Sequence, residues 1–143
     1  MDRETAGNQE RVTTMRDYQR KKGKYTLPRE VYRQTLWQIR DYDRLCQKYA
    51  ETVTESPAPS DGMPRAKGIT SDPTYQKAVK LEHIGRVLAA IEEALALVPP
   101  EYRKGVWNSV LYDTPYPFDA DRTTYGRWKS KFVYTVAEKL NFI

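Results

Sequence analysis

Apolar side chains recur at Leu81, Ile84, Leu88, Ile91, Leu95 and Val98, with spacings that alternate between three and four residues. That period is helical, and it is the spacing by which one helix packs along another in a hairpin or coiled coil. Asp72-Pro73 supplies a start signal, an N-cap aspartate followed by a proline suited to the first helical turn. Burying the stripe would contribute on the order of 10 kcal/mol before chain entropy is charged against it. It is therefore the expected structural spine, packed against another helix of the chain or across a homodimer.

A second amphipathic pattern follows Pro28 and predicts one long helix over 29–53. Tyr32, Leu36, Ile39, Cys46, Tyr49 and Val53 form its stripe, with Asp43 interrupting and Tyr42 taking its place. The opposite face mixes Arg29, Arg33, Arg40, Arg44 and Lys48 with Glu30 and Asp41, the alternation of a solvated surface. Thr54–Pro73 is rich in Pro, Gly and Ser and reads as a connecting loop, long for a compact domain. Pro99 and Pro100 end the spine helix and open a third helix. Tyr102, Val106 and Val110 form its apolar face, widened by Trp107 and Leu111, and Gly105 weakens it. The prolines of Asp113–Asp121 enforce a turn. A last helix starts at Asp119 or Asp121, both suited to capping, and runs to about Leu140.

Nothing alternates with the period of a strand. The fold class is all-α: a long two-helix unit over 25–98 joined by the loop 54–73, then a C-terminal helix-turn-helix over 99–143. Residues 1–24 form a flexible basic arm, in which Val12–Arg20 has the composition of a short helix.

Charge sharpens this picture. The net charge is +5, and the surplus lies at the ends: residues 1–25 hold seven Lys/Arg against four Asp/Glu, residues 99–143 seven against five. Basic ends around a balanced middle point to an anionic partner, nucleic acid above all. With 11 Tyr and 3 Trp, the chain has many side chains that bury large area and keep a polar tip. No apolar run is long enough to span a bilayer. A first segment without a signal peptide's apolar stretch, and a lone cysteine, fit a reducing cytoplasm.

Catalytic chemistry is poorly supplied. His83 is the one histidine and Cys46 the one cysteine, so neither an internal disulfide nor a Cys/His zinc site can form within one chain. Seven scattered glycines make no phosphate-binding loop, and Asp41/Asp43, Glu92/Glu93 and Asp119/Asp121 lack the spacing of metal-binding loops. The expectation is a protein that is not an enzyme and takes no cofactor and no metal.

Binding chemistry is better supplied. On a wheel of 100° per residue, Tyr125, Trp128, Phe132, Val136 and Leu140 share one side of the last helix, with Lys129 and Val133 at its margin. Thr123, Thr124, Arg127, Ser130, Lys131 and Tyr134 share the other. In a helix-turn-helix the second helix enters the major groove, and its N-terminal residues reach base edges. Thr123, Thr124 and Arg127 suit that task, since Arg pairs bidentately with guanine and Thr meets the thymine methyl. Arg122, Lys129, Lys131 and Tyr134 suit phosphates. The competing view is a core helix whose charges are merely solvated.

The stretches "YTLPREVYRQTLWQIRDYDRL", "SPAPSDGMPRAKGITSDP", "LVPPEYRKGVWNSVLYDTPYP" and "DADRTTYGRWKSKFVYTVAEKLNFI", taken in order, resemble the small RinA/ArpU-type transcriptional regulators of phages and prophages of Gram-positive bacteria. The resemblance covers residues 25–143 and leaves the basic arm outside. The last segment also resembles region 4 of sigma-70 factors: Pro100, Glu101 and Arg103 match a "P-E-x-R" opening, and Thr123, Arg127, Lys129 and Lys131 lie in the second element. It departs from that pattern at the proline-rich turn, where sigma-type domains carry a short helix. The resemblance implies a sequence-specific regulator that binds double-stranded DNA and activates phage late genes. The alternative is a phage protein acting by protein contact, on host RNA polymerase or as a small DNA-packaging subunit.

Overall fold

The computed structural model describes residues 19–20, 23–55 and 73–143, and these are helical with no strand among them. Five helices follow in order: α1 (Arg29–Arg40), α2 (Tyr42–Thr54), α3 (Pro73–Ala96), α4 (Pro100–Tyr112) and α5 (Arg122–Lys139). The expected short helix at Val12–Arg20 falls almost wholly outside the described residues, as do Asp72 and nearly all of the loop 54–73.

The long helix expected over 29–53 is two helices. α1 ends at Arg40, where the Asp41 N–H reaches back to the carbonyls of Trp37 and Gln38. The side chain of Arg40 lies over the Trp37 ring, and its Nε donates to the Val110 carbonyl at 3.0 Å. A charged pair, Arg40-Asp41, thus falls where the apolar stripe loses its phase, and the arginine is turned toward α4.

The break also falls at a boundary between two compact units. The described residues up to Asp41 cluster with Ala90–Ile143, and the described part of Tyr42–Ala89 forms a second compact unit. The reason is packing: α1 packs on α4 and α5, and α4 and α5 pack on each other.

In the first unit the core is built from Leu27, Tyr32, Leu36 and Ile39, then Ile91, Ala94 and Val98, then Val106 and Val110, then Tyr125, Phe132, Val133, Val136 and Ala137. Each large apolar side chain removed from water in this way contributes about 1.5–3 kcal/mol. Buried Thr35 is satisfied locally, its hydroxyl donating to the carbonyl of Val31. Pro28 precedes α1 and Pro99 precedes α4, and Glu30 and Glu101 place negative charge in the positive first turns.

In the second unit α2 contributes Leu45 and Thr52 to the buried set, and α3 contributes Ile84 and Val87. Lys77 of α3 donates to the carbonyls of Val53 and Glu55, closing the C-terminal end of α2. Along the whole of α3 and the residues after it, the buried face is Ile84, Val87, Ala90, Ile91, Ala94 and Val98. Leu81, Leu88 and Leu95 are half-buried at its edge. The leucines thus border a face whose centre holds small and β-branched residues.

Arg103 reaches back from α4 to the end of α3. Its Nε donates to the Val98 carbonyl at 2.7 Å and its Nη2 to the Ala96 carbonyl at 2.8 Å. The last carbonyls of a helix lack intrahelical partners and carry partial negative charge, so an arginine is well suited to them.

Candidate nucleic-acid interface

The turn between α4 and α5 sets how α5 is presented. Asp113 adopts the left-handed conformation at φ 54°, ψ 32°, which a short polar residue tolerates, and the Thr114 N–H returns to the Asn108 carbonyl. The turn is then held from below by one side chain of α5. Tyr125 is fully buried; Tyr116 stacks on it at 5.0 Å between ring centroids, and Tyr102 meets it edge-on at 5.3 Å. Its hydroxyl donates to Asp119 Oδ1 at 2.6 Å. That hydrogen bond to a carboxylate, with burial, pushes the Tyr125 hydroxyl up to about 12. Burial likewise raises Tyr116, against a hydrogen bond with Ser109 and the charge of Arg122.

Of the two aspartates expected to cap α5, only Asp121 does so, accepting from the Thr123 N–H at 3.2 Å. Asp119 serves the turn through Tyr125 instead. Gly105 also differs from expectation. A β-carbon there would lie 2.5 Å from Tyr125 Cε1 and 3.0 Å from Pro117 Cδ, so the missing side chain is the space into which Tyr125 fits.

The buried face of α5 is Tyr125, Phe132, Val133, Val136 and Ala137. This is the expected face rotated by about 40°: Val133 joins it, and Trp128 leaves the core for its margin. Trp128 lies only half-buried, with the Lys131 ammonium 5.4 Å from its ring centroid.

The seven residues expected to contact DNA fall into three groups. Thr124, Arg127 and Lys131, with Trp128 and Ser130, line one wall of a groove of about 600 Å³. Arg122, Thr123 and Lys129, with Gly126, line an adjoining cleft of about 330 Å³ that also includes Tyr32 and Tyr116. Tyr134 is in neither; its ring packs edge-on against Tyr25 at 5.4 Å. Arg127 is exposed and enters no ion pair among the described residues.

The other wall of the larger groove is the end of the basic arm, Arg20, Gly23 and Lys24, with Tyr25 beside it. This end is not free. Gln19 and Leu27 are joined by two hydrogen bonds, Leu27 N–H to Gln19 Oε1 at 2.6 Å and Gln19 Nε2 to the Leu27 carbonyl at 2.7 Å. Gly23 has φ 101°, open to glycine alone at little cost, and its carbonyl accepts from the Thr26 hydroxyl. Lys24 and Lys131 both approach the Tyr25 ring, at 5.1 and 6.0 Å. The sequence signal for this wall was the run "RKKGK" beside Tyr25, and nothing in its composition indicates where it docks.

No group of His, Cys, Asp and Glu that could hold a metal exists among the described residues, and His83 is an exposed helix-face residue. No helix of the described residues is long and apolar enough to cross a membrane. Compared with known proteins, the chain matches no family model, no curated protein and no solved structure.

Proposed function

We propose that the protein is a non-enzymatic, sequence-specific binder of double-stranded DNA, with α4 and α5 as its helix-turn-helix and α5 as the helix that enters the major groove. The observation that carries this reading is the division of α5 by face. One side is locked into the core through Tyr125 and Phe132, and the other leaves Arg127 and Thr123 exposed near the N-terminus, where base edges are reached. The regulatory role, activation of phage late genes in the cytoplasm of a bacterial host, is supported by the resemblance to the RinA/ArpU type alone.

Fluorescence anisotropy on duplexes from the region around the gene tests the proposal. Binding should weaken steeply with salt, as phosphate contacts require. Arg127→Ala should relax the preference at one base position and cost about 1–3 kcal/mol there. A folded Arg127→Ala variant that keeps both the affinity and the base preferences of the unaltered protein would remove α5 from the reading role.

A second reading, contact with a protein such as host RNA polymerase, is favoured by Phe118. This side chain is fully exposed at the tip of the α4–α5 turn, and Trp37 and Tyr112 of the same unit are also largely exposed. Exposed aromatic side chains are common anchors of protein interfaces. Phe118→Ser should then abolish capture of polymerase while leaving DNA affinity intact. The two readings are compatible in one activator.

A further inference from the structure

The arm was expected to be a loose basic tail, yet its last residues form a wall of the groove on α5. Arg20 and Lys24 line that groove together with Arg127 and Lys131. None of these four enters an ion pair among the described residues. Four cations lining one groove without acidic partners among the described residues repel one another, and an anion bound there relieves that cost. The remaining lining also fits a particular anion. Thr124 and Ser130 offer hydroxyl donors, and Trp128 and Tyr25 offer flat apolar surfaces. Phosphate oxygens take the cations and hydroxyls, and sugar faces take the aromatic surfaces.

We infer that this groove is a clamp for the sugar–phosphate backbone of one DNA strand flanking the major groove, closed on one side by Arg20 and Lys24. The inference rests on α5 being the DNA-contacting helix and adds a second segment of the chain to that contact. The arm is positioned by Tyr25, whose ring abuts Tyr134, and by the paired hydrogen bonds between Gln19 and Leu27. Tyr25 and Tyr134 are then positioning residues, and the phosphate contacts belong to the four cations.

The test measures the salt dependence of duplex binding by the full chain and by the double variant Arg20→Gln/Lys24→Gln. Each phosphate contact contributes about 0.9 to the slope of log K against log salt. The double variant should lose about 1.8 from the slope, which is about 30-fold in affinity at 0.15 M salt. Its ranking of duplex sequences should be unchanged, because phosphates carry no sequence information. Tyr25→Ala, which keeps every cation, should also shallow the slope, and Tyr25→Phe should restore it. Circular dichroism of each variant confirms that the helices persist. A double variant with the slope of the unaltered protein overturns the clamp and leaves α5's role standing. Failure of the unaltered protein to bind any duplex at low salt overturns the proposed function itself. A single strand that competes as well as the duplex overturns the assignment to duplex backbone, since stacking on Trp128 and Tyr25 would then dominate.

Discussion

Gly105→Ala sets two effects of opposite sign against each other. In the interior of an exposed helix the change stabilises by about 0.8–1.0 kcal/mol, because glycine has more backbone freedom to lose. At Gly105 the added methyl meets Tyr125 Cε1 at 2.5 Å, Pro117 Cδ at 3.0 Å and Tyr125 Cδ1 at 3.2 Å. Tyr125 has no room to retreat, being fully buried, stacked on Tyr116, flanked by Tyr102 and tethered through its hydroxyl to Asp119. Overpacking of a well-filled core costs about 1–3 kcal/mol, and this contact belongs at the upper end because a ring and a proline must both shift. The net expectation is destabilisation by about 1–2 kcal/mol, or roughly 4–16 °C in Tm for a unit of this size.

Urea unfolding followed by tryptophan fluorescence is the suitable assay. Trp37, Trp107 and Trp128 all lie in the unit that contains α4 and α5, so the signal reports that unit. The midpoint should fall with an unchanged slope, the signature of lost stability without a change in the unfolded state. A midpoint equal to or above that of the unaltered protein would refute the reasoning, because helix propensity would then have won and Tyr125 could not be the fixed strut described above.

Three further outcomes follow from the same unit. The proton on Tyr125 is held more tightly in the folded chain than in the unfolded one, so its contribution is complete below about pH 10 and is lost as pH rises toward about 12. Tyr125→Phe should flatten the alkaline limb of a stability–pH profile. Arg103→Met removes both side-chain bonds to the end of α3 and should cost about 1–3 kcal/mol in urea unfolding, with the salt slope of DNA binding unchanged. Lys139→Ala breaks the 3.0 Å pair with Glu93, and because that pair is largely exposed the loss should stay below about 1 kcal/mol and shrink in high salt.

Helix type and most boundaries were readable from the chain because they depend on local signals. Pro28, Pro99 and Pro100 mark the starts of α1 and α4, and Asp121 caps α5 where an aspartate ahead of the aromatic stripe predicts it. The interruption of the first long helix was less legible. Asp43 looked like the break, yet the chain breaks at Asp41, where Arg40 is drawn to the Val110 carbonyl some seventy residues away. A long-range bond of this kind leaves no periodic trace. The same holds for Gly105, whose local reading is a weak point in a helix and whose tertiary role is to accommodate Tyr125. Arg103 matched a sigma-type opening in sequence, and its side chain caps α3. All seven expected contact residues lie on α5, but the division of six of them between two clefts depends on Tyr32, Tyr116 and the arm, which no spacing rule on α5 contains.

The phase of α5 connects these points to function. Tyr125 and Arg127 lie two residues apart, about 200° around the helix. Fixing Tyr125 in the gap at Gly105 therefore fixes Arg127 on the far side, pointed at solvent, with no contact of its own needed to hold it there. The same rotation moves Trp128 from the core face to the edge of the groove, next to Tyr25 and Lys131. The basic and aromatic residues that alternate along this helix then separate into two roles. Tyr125 and Phe132 define its orientation, while Trp128 joins Arg127 and Lys131 in lining the groove. An aromatic residue between two cations is thus assigned to core or to surface by a shift of about 40° in helical phase, and that phase is set by a glycine on the neighbouring helix.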